Sequence, residues 1–340
     1  MIEKYLVTMV KEAYSEKRRL VMPLMGFPGL NMTGGNIKLA QQNFGEHFRA
    51  LKSLVDYFHP DAIFPMMDLS VEANALGRYT IFPKQESATV VKDHFSMEDL
   101  KLAKNINISF DTRLQGYVET IKLLSIGLPS TVLKGAYVTG PYTLAALLMG
   151  ADEAVMASMM NPDLLHEVCQ LTTEKILEYV RLLITAGAQA ICVLEPSAVM
   201  LGPDQFEQFS GKYVESICEI CKYTHVATIY HTCGNCMHLI EKMCESGVNA
   251  ISLDSPEIGI DMFEAARRSP AEMIIMGNIS PTGNLLTGKP SDVERDVYNL
   301  LDVMKPYANF ILSTGCDLPQ ETPLDNINTF IETVRKYRLK

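Results

Sequence analysis

The sequence has no uninterrupted apolar run of about 18 residues, so a transmembrane helix is not expected. Its opening, MIEKYLVTMVKEAYSEKRRL, mixes charges among apolar residues and reads as neither a secretory signal nor a span. Basic charge is scarce as well: 30 Lys and Arg stand against 40 Asp and Glu, a net charge of −10. That balance excludes nucleic acid as the main partner, because phosphate backbones need a basic surface. A few local Arg or Lys residues can still hold an anionic substrate. Tryptophan is absent, while 19 Met supply flexible side chains that fill gaps in a core. Low-complexity tracts, long charge runs and linkers are missing too. The eight Cys are not spaced as a small disulfide scaffold. Free thiols in a chain of this size point to a reducing cytoplasm, where clustered Cys signals a metal or catalysis.

What is present is a large apolar fraction, 47% of 340 residues, and a recurring pair of elements. Short β-rich apolar runs lie near Leu20–Met25, Ala62–Met67, Val132–Tyr137, Ala190–Leu194, Val226–Tyr230, Ala250–Leu253, Met273–Met276 and Phe310–Ser313. Amphipathic helical stretches separate them, among them Asp163–Ala186, Pro203–Cys221, Ser291–Met304 and Pro323–Tyr337. Continuous apolar strands alternating with helices imply right-handed βαβ units and a parallel sheet. Eight of them predict an α/β fold, a single (β/α)₈ TIM barrel spanning the 340 residues. The barrel carries an N-terminal helical extension over about residues 1–19 and an inserted loop or hairpin at Gly77–His94, about residues 77–95.

Chemically distinctive residues sit at the C-terminal ends of these strands. Asp68 follows AIFPMM, Glu195 follows ICVL, and His231 and Cys233 fall in ATIYHTC; Asp254 follows ISL, Asn278 follows IIMG and Cys316 follows ILSTG. In this barrel class that rim is where the active site is built.

His231 and Cys233, two apart on an emerging strand, can point the same way. Imidazole and thiolate are common Zn²⁺ ligands, and three protein ligands with one open position describe a catalytic zinc. Cys316 ends a later strand and supplies the third ligand; Asp254 ends the strand directly after His231 and can offer a carboxylate oxygen. Two other arrangements stay open: a redox dithiol at Cys233 and Cys236, or a closed structural site that adds Cys218 and Cys221. Thiolate ligands donate charge to zinc and make it a weak activator of water. Such a site suits a second thiol, which is deprotonated on coordination. Alkyl transfer to sulfur therefore ranks above hydrolysis.

At these residues the chain resembles the uroporphyrinogen decarboxylase superfamily, and within it the methylcobamide:coenzyme M methyltransferase branch. The likeness runs from about Leu133 to the C-terminus. It rests on GPYTLAALLMG at Gly140–Gly150, EPSAVMLGPDQFEQF at Glu195–Phe209, HTCG at His231–Gly234, GNISPTGNLLTGKPSDV at Gly277–Val293 and GCDLPQETPLDNI at Gly315–Ile327. The decarboxylases work without a metal and carry an N-terminal Arg-rich segment; here RRLVMPLMGFPGLNMTGG lacks that pattern. The resemblance implies that His231, Cys233 and Cys316 ligate zinc. It also implies that Asp254 stands where the methyltransferases carry an acid that ligates zinc in the absence of substrate, although the residue here is the short Asp. Cobalamin-independent methionine synthases are similar in the order His-x-Cys, acid, Cys, and the intervals 254 − 233 = 21 and 316 − 254 = 62 suit it.

The implied reaction moves a methyl group from a methylcobamide, carried by a partner corrinoid protein, to a small thiol such as coenzyme M. No DxHxxG-type motif is present, so the corrinoid is expected on that partner. Demethylation of a small methyl donor and metal-free decarboxylation of a tetrapyrrole are the alternatives. Superfamily members can pair, but nothing in the sequence marks an interface. Around the metal, Glu195 reads as a substrate contact, a partner of His231 or a helix-start carboxylate. Asn278 reads as a substrate contact or a turn brace, and Tyr137 and Tyr142 as pocket wall or packing. Asp68 is a pocket residue, and Asp317 either orients the Cys316 loop or caps the segment after it.

Overall fold

Buried parallel strands need helices over their outer faces, and the chain alternates the two throughout. A computed structural model describes residues 2–92 and 95–339. In chain order the strands are β1 (Ala62–Ile63), the short pair β2 (Thr80–Ile81) and β3 (Thr89–Val90), β4 (Leu133–Thr139), β5 (Ala190–Leu194), β6 (Ala227–Thr232), β7 (Ala250–Leu253), β8 (Ile274–Ile279) and β9 (Phe310–Thr314). β1 and β4 to β9 form one parallel sheet in the order of the chain. β2 and β3 pair antiparallel as a separate hairpin within the segment Gly77–His94, of which residues 93 and 94 lie outside the described residues.

The run Leu20–Met25 closes the ring in reduced form. Leu312 N–H donates to the Leu20 carbonyl (3.1 Å), Met22 N–H to the Leu312 carbonyl (2.9 Å) and Asp61 N–H to the Val21 carbonyl (3.0 Å). The segment therefore lies between β9 and β1 and completes an α/β barrel. Ladder pairing is confined to Val21. Pro23 has no N–H to give, and the Leu24 N–H goes to the Thr314 hydroxyl (3.0 Å). β1 is likewise shorter than the run Ala62–Met67. Beyond Pro65, the Met66 N–H is taken by His47 Nε2 and the Met67 N–H by Asp317 Oδ2, both at 2.9 Å.

The N-terminal end of the barrel is plugged. Leu6, Val10 and Ala13 of the helix Tyr5–Ser15 pack against the inward layer that includes Phe64, Tyr137, Cys192 and Ile229. Tyr5 N–H bonds the His225 carbonyl (3.0 Å), and the Lys4 ammonium bonds the Thr224 carbonyl (2.7 Å), both just before β6. That leaves the C-terminal rim as the open end.

Most helices follow the sequence pattern closely, for example Pro162–Ala186 and Leu324–Lys336. Pro203–Cys221 differs. It is not one α-helix but α-helical turns at Pro203–Phe206 and Lys212–Cys221 joined by a π turn at Glu207–Gly211. The wider turn carries Ser210 into the core, where its hydroxyl meets Tyr230 (2.7 Å) and Glu195 (3.3 Å). No single helix among the described residues is long and apolar enough to cross a membrane.

Gly135 on β4 is required by close approach, since a Cβ there would lie 2.0 Å from the buried Phe64 ring. That ring in turn stacks on Tyr137 at 5.2 Å. Gly135→Ala is expected to cost about 1–3 kcal/mol by overpacking the barrel interior. It should appear as a lower denaturant midpoint with an unchanged slope; an unchanged midpoint would show that the interior has room to spare.

Candidate metal centre

The side chains on β6 alternate, so His231 faces the barrel mouth and Cys233, two residues on, follows it. The ladder sets His231 opposite Ser252 on β7. His231 Nε2 lies 3.2 Å from Cys233 Sγ and 3.9 Å from Cys316 Sγ, and the two sulfurs are 3.0 Å apart. Both thiols are free. A disulfide would bring the sulfurs to about 2.05 Å, whereas one tetrahedral ion with bonds of about 2.0–2.3 Å holds its donors roughly 3.5 Å apart. The three donors therefore fit a single metal ion without rebuilding the backbone. Among the described residues this is the one His, Cys and carboxylate group that converges in this way. Cys218 and Cys221 stay in their helix, with Cys221 buried and Cys218 against the Thr228 hydroxyl (3.5 Å).

The thiols are electrostatically unequal. A hydrogen bond from the Cys233 thiol holds Cys316 well below the ordinary thiol range, despite burial and with help from His231. The same contact pushes Cys233 up. One thiolate is thus already favoured, which is the state a metal ion requires. His231 is fully buried, and its Nδ1 lies 3.0 Å from Ser252 Oγ. With a metal ion bound, Nδ1–H would donate to that hydroxyl and leave the Nε2 lone pair for the metal.

Carboxylates fix the loops around this cluster by accepting backbone N–H groups. Asp317 takes Gly26 N–H (3.1 Å) and Met67 N–H (2.9 Å), tying the Cys316 loop to the first two segments of the ring. Burial, with Cys316 beside it, pushes this carboxyl up to about 7. Asp254 accepts Gly234 N–H (2.8 Å) and Ser255 N–H (2.6 Å) and is not among the three converging donors. Asn278 braces the same turn by donating to the Asp254 carbonyl (2.8 Å). Glu195 is fully buried. Its oxygens accept Tyr142 N–H (3.0 Å), Thr143 N–H (2.8 Å) and the Thr143 hydroxyl (2.7 Å). It thereby caps the helix Pro141–Met149, and burial raises its carboxyl to about 7. Gly140 makes room for it, because a Cβ there would sit 2.1 Å from Glu195 Cγ.

The uroporphyrinogen decarboxylase (URO-D) family model matches residues 34–337. The chain belongs to the URO-D family. Members similar to it include a uroporphyrinogen decarboxylase of Prochlorococcus marinus, 28% identical over 291 residues, covering 82% of this chain and 80% of that one. Methylcobamide:CoM methyltransferase MtbA of Methanosarcina mazei is 28% identical over 258 residues, covering 75% and 73%. Among solved structures, a methyltransferase from Methanosarcina mazei superposes with a TM-score of 0.87 at 19% identity, covering 98% of this chain and 99% of that one. That likeness shows the shared barrel.

Within this URO-D barrel the remaining candidates separate. Tyr137 is a buried inward residue whose hydroxyl has no partner among the described residues. Burial holds that hydroxyl well above its usual range, with Asp317, Cys316 and Cys233 close enough to add to the effect. Tyr142 is buried at the helix start beside Glu195, away from the three donors, and its hydroxyl is also without a partner among the described residues. Asp68 is buried in an ion pair with Arg113 and accepts from the Tyr117 hydroxyl (2.7 Å) and the Ser70 hydroxyl (2.6 Å). Sequence reasoning missed Ser252 and Arg113. Ser252 left a signal, being two residues before Asp254 on the same face of β7; Arg113, 45 residues after Asp68 and on a helix, left none.

Ser252→Ala removes the group that orients His231. If the three donors hold zinc, the substitution should weaken its binding by about 10- to 100-fold, measured by competition with a chromophoric chelator. An unchanged affinity would mean that packing alone sets the imidazole.

Proposed function

We propose that this protein moves a methyl group between a corrinoid protein and a small thiol, with one Zn²⁺ held by His231, Cys233 and Cys316. The observation that carries the reading is the convergence of one imidazole nitrogen and two sulfurs at the open rim of the barrel, 3.0–3.9 Å apart. Three donors leave a tetrahedral ion one position for a further ligand, as in catalytic rather than structural sites. Bound there, zinc supplies a seat at which a substrate thiol is deprotonated near neutral pH and becomes a nucleophile toward the methyl group.

The chain's own residues position and shield. Ser252 sets the imidazole, and Asp317 holds the Cys316 loop in place. Asp254 is the proposed fourth donor when substrate is absent; here its two oxygens accept the Gly234 and Ser255 N–H groups. Tyr137 closes the floor of the site together with Phe64. The methylcobamide arrives on its own protein, in keeping with the likeness to the methylcobamide:CoM methyltransferase MtbA. The same residues serve the reverse direction, in which a small methyl donor is demethylated. Metal-free decarboxylation would leave the three converging donors without a role.

The test combines metal analysis with turnover. The wild type should contain about one zinc per chain and methylate 2-mercaptoethanesulfonate from methylcobalamin. Cys316→Ala should lose the zinc and more than about 100-fold of that activity. Turnover of uroporphyrinogen by chelator-treated protein, with no thiol methylation, would contradict the reading.

A further inference from the structure

The hairpin β2–β3 covers two buried donors that the metal centre does not use. Arg113 has a side chain 8% exposed, against 0% for Asp68. Its Nη2 serves Asp68 and the Ser70 hydroxyl (3.0 Å), and its Nε reaches the Gln41 carbonyl (3.4 Å). Nη1 is buried with no partner among the described residues. Gln41 is 2% exposed, and its Nε2 is buried and likewise without a partner there. The amide orientation is set by its oxygen, which accepts Ala88 N–H from the hairpin (3.3 Å). Orphaned buried donors are rare in native proteins, and two in contacting residues ask for an acceptor. A guanidinium offers five N–H groups in a fixed fork, so Arg113 can keep Asp68 on one side and still bind an oxyanion on another.

The position links this pair to the metal centre. Asp68 directly follows Met67, whose N–H is held by Asp317, the residue after Cys316. Phe82 of the hairpin lies over the guanidinium at 4.7 Å. The hairpin tip, residues 85–87, walls a cleft of about 280 Å³ whose opposite wall is Asp317–Glu321. The hairpin therefore touches both neighbourhoods, the loop that carries Cys316 through its tip and the two unpartnered donors through Phe82 and Ala88.

We propose that Arg113 and Gln41 form the subsite for the anionic end, a sulfonate or carboxylate, of the thiol substrate, with the hairpin as its cover. The proposal rests on the reading of the metal centre as the seat of the thiol sulfur. It makes the tail of the substrate, as well as its sulfur, a determinant of specificity.

Titration calorimetry on the zinc-loaded protein tests it with four probes: 2-mercaptoethanesulfonate, 3-mercaptopropionate, uncharged 2-mercaptoethanol, and ethanesulfonate, which has no thiol. The wild type should bind 2-mercaptoethanesulfonate about tenfold more tightly than 2-mercaptoethanol, the scale of one hydrogen bond to a charged group. A 3-mercaptopropionate affinity matching the sulfonate would extend the subsite to carboxylates; an affinity matching 2-mercaptoethanol would restrict it to sulfonates. Gln41→Leu, which keeps the Arg113–Asp68 pair, should close the gap between the charged and uncharged thiols. Arg113→Lys should do the same while keeping a cation opposite Asp68; unchanged zinc content and circular dichroism confirm that each variant folds. Equal affinity for the charged and uncharged thiols in the wild type, or a gap that survives both substitutions, overturns the subsite and leaves the metal reading standing. Gln41-dependent binding of ethanesulfonate, with no thiol bound more tightly than its thiol-free counterpart, would sustain the subsite and sink the metal reading instead.

Discussion

Everything at the open end of this barrel depends on parallel pairing in which neighbouring strands finish at one level. Because β5 to β9 run the same way in register, the residue that ends each strand is delivered to a common rim. His231 and Cys233 come from β6, Asp254 from β7, Asn278 from β8 and Cys316 from β9. Three donors, the first and last of them 85 residues apart, are thus brought within 4.8 Å of one another. The plug made by the helix Tyr5–Ser15 seals the opposite end, so chemistry is confined to one face.

The rim is then made rigid by carboxylates that accept backbone N–H groups. Asp317, Asp254 and Glu195 do this around the cluster, and Glu72 does it next to them by accepting Thr139 N–H (2.7 Å). Each such bond joins a side chain of one segment at the rim to the main chain of another. Hydrogen bonds of this kind are worth about 0.5–1.5 kcal/mol each, and more where the carboxyl is ionised. They hold loops that would otherwise be the most mobile part of a barrel. The effect on the candidate metal centre is indirect but specific: the Cys316 loop is pinned through Asp317, and the turn after Cys233 through Asp254.

Much of this architecture was legible in the sequence, for definite reasons. Buried parallel strands such as Ala190–Leu194 and Ala250–Leu253 are continuous apolar runs, and those two were located to the residue. The ligand-type residues stood out because polar side chains at the ends of apolar strands have no packing purpose. The shortening of the first strand has a local cause in the sequence, since Pro23 stands inside Leu20–Met25 and has no N–H to pair. The rest depended on contacts that local patterns do not encode. Nothing near Glu195 announces that it caps a helix beginning at Pro141, and nothing in Pro203–Cys221 marks the π turn that places Ser210 against it. The partnership of Asp68 with Arg113 joins a strand end to a helix through the tertiary fold alone.

X-ray absorption at the zinc edge tests the central claim most directly, because it counts the atoms bound to the metal. In the resting protein, two sulfur scatterers at about 2.3 Å and lighter donors at about 2.0 Å are expected. Adding 2-mercaptoethanesulfonate should raise the sulfur count to three as the substrate thiol joins Cys233 and Cys316. A resting zinc without two sulfurs, or a coordination shell that does not change with the thiol, would contradict the account.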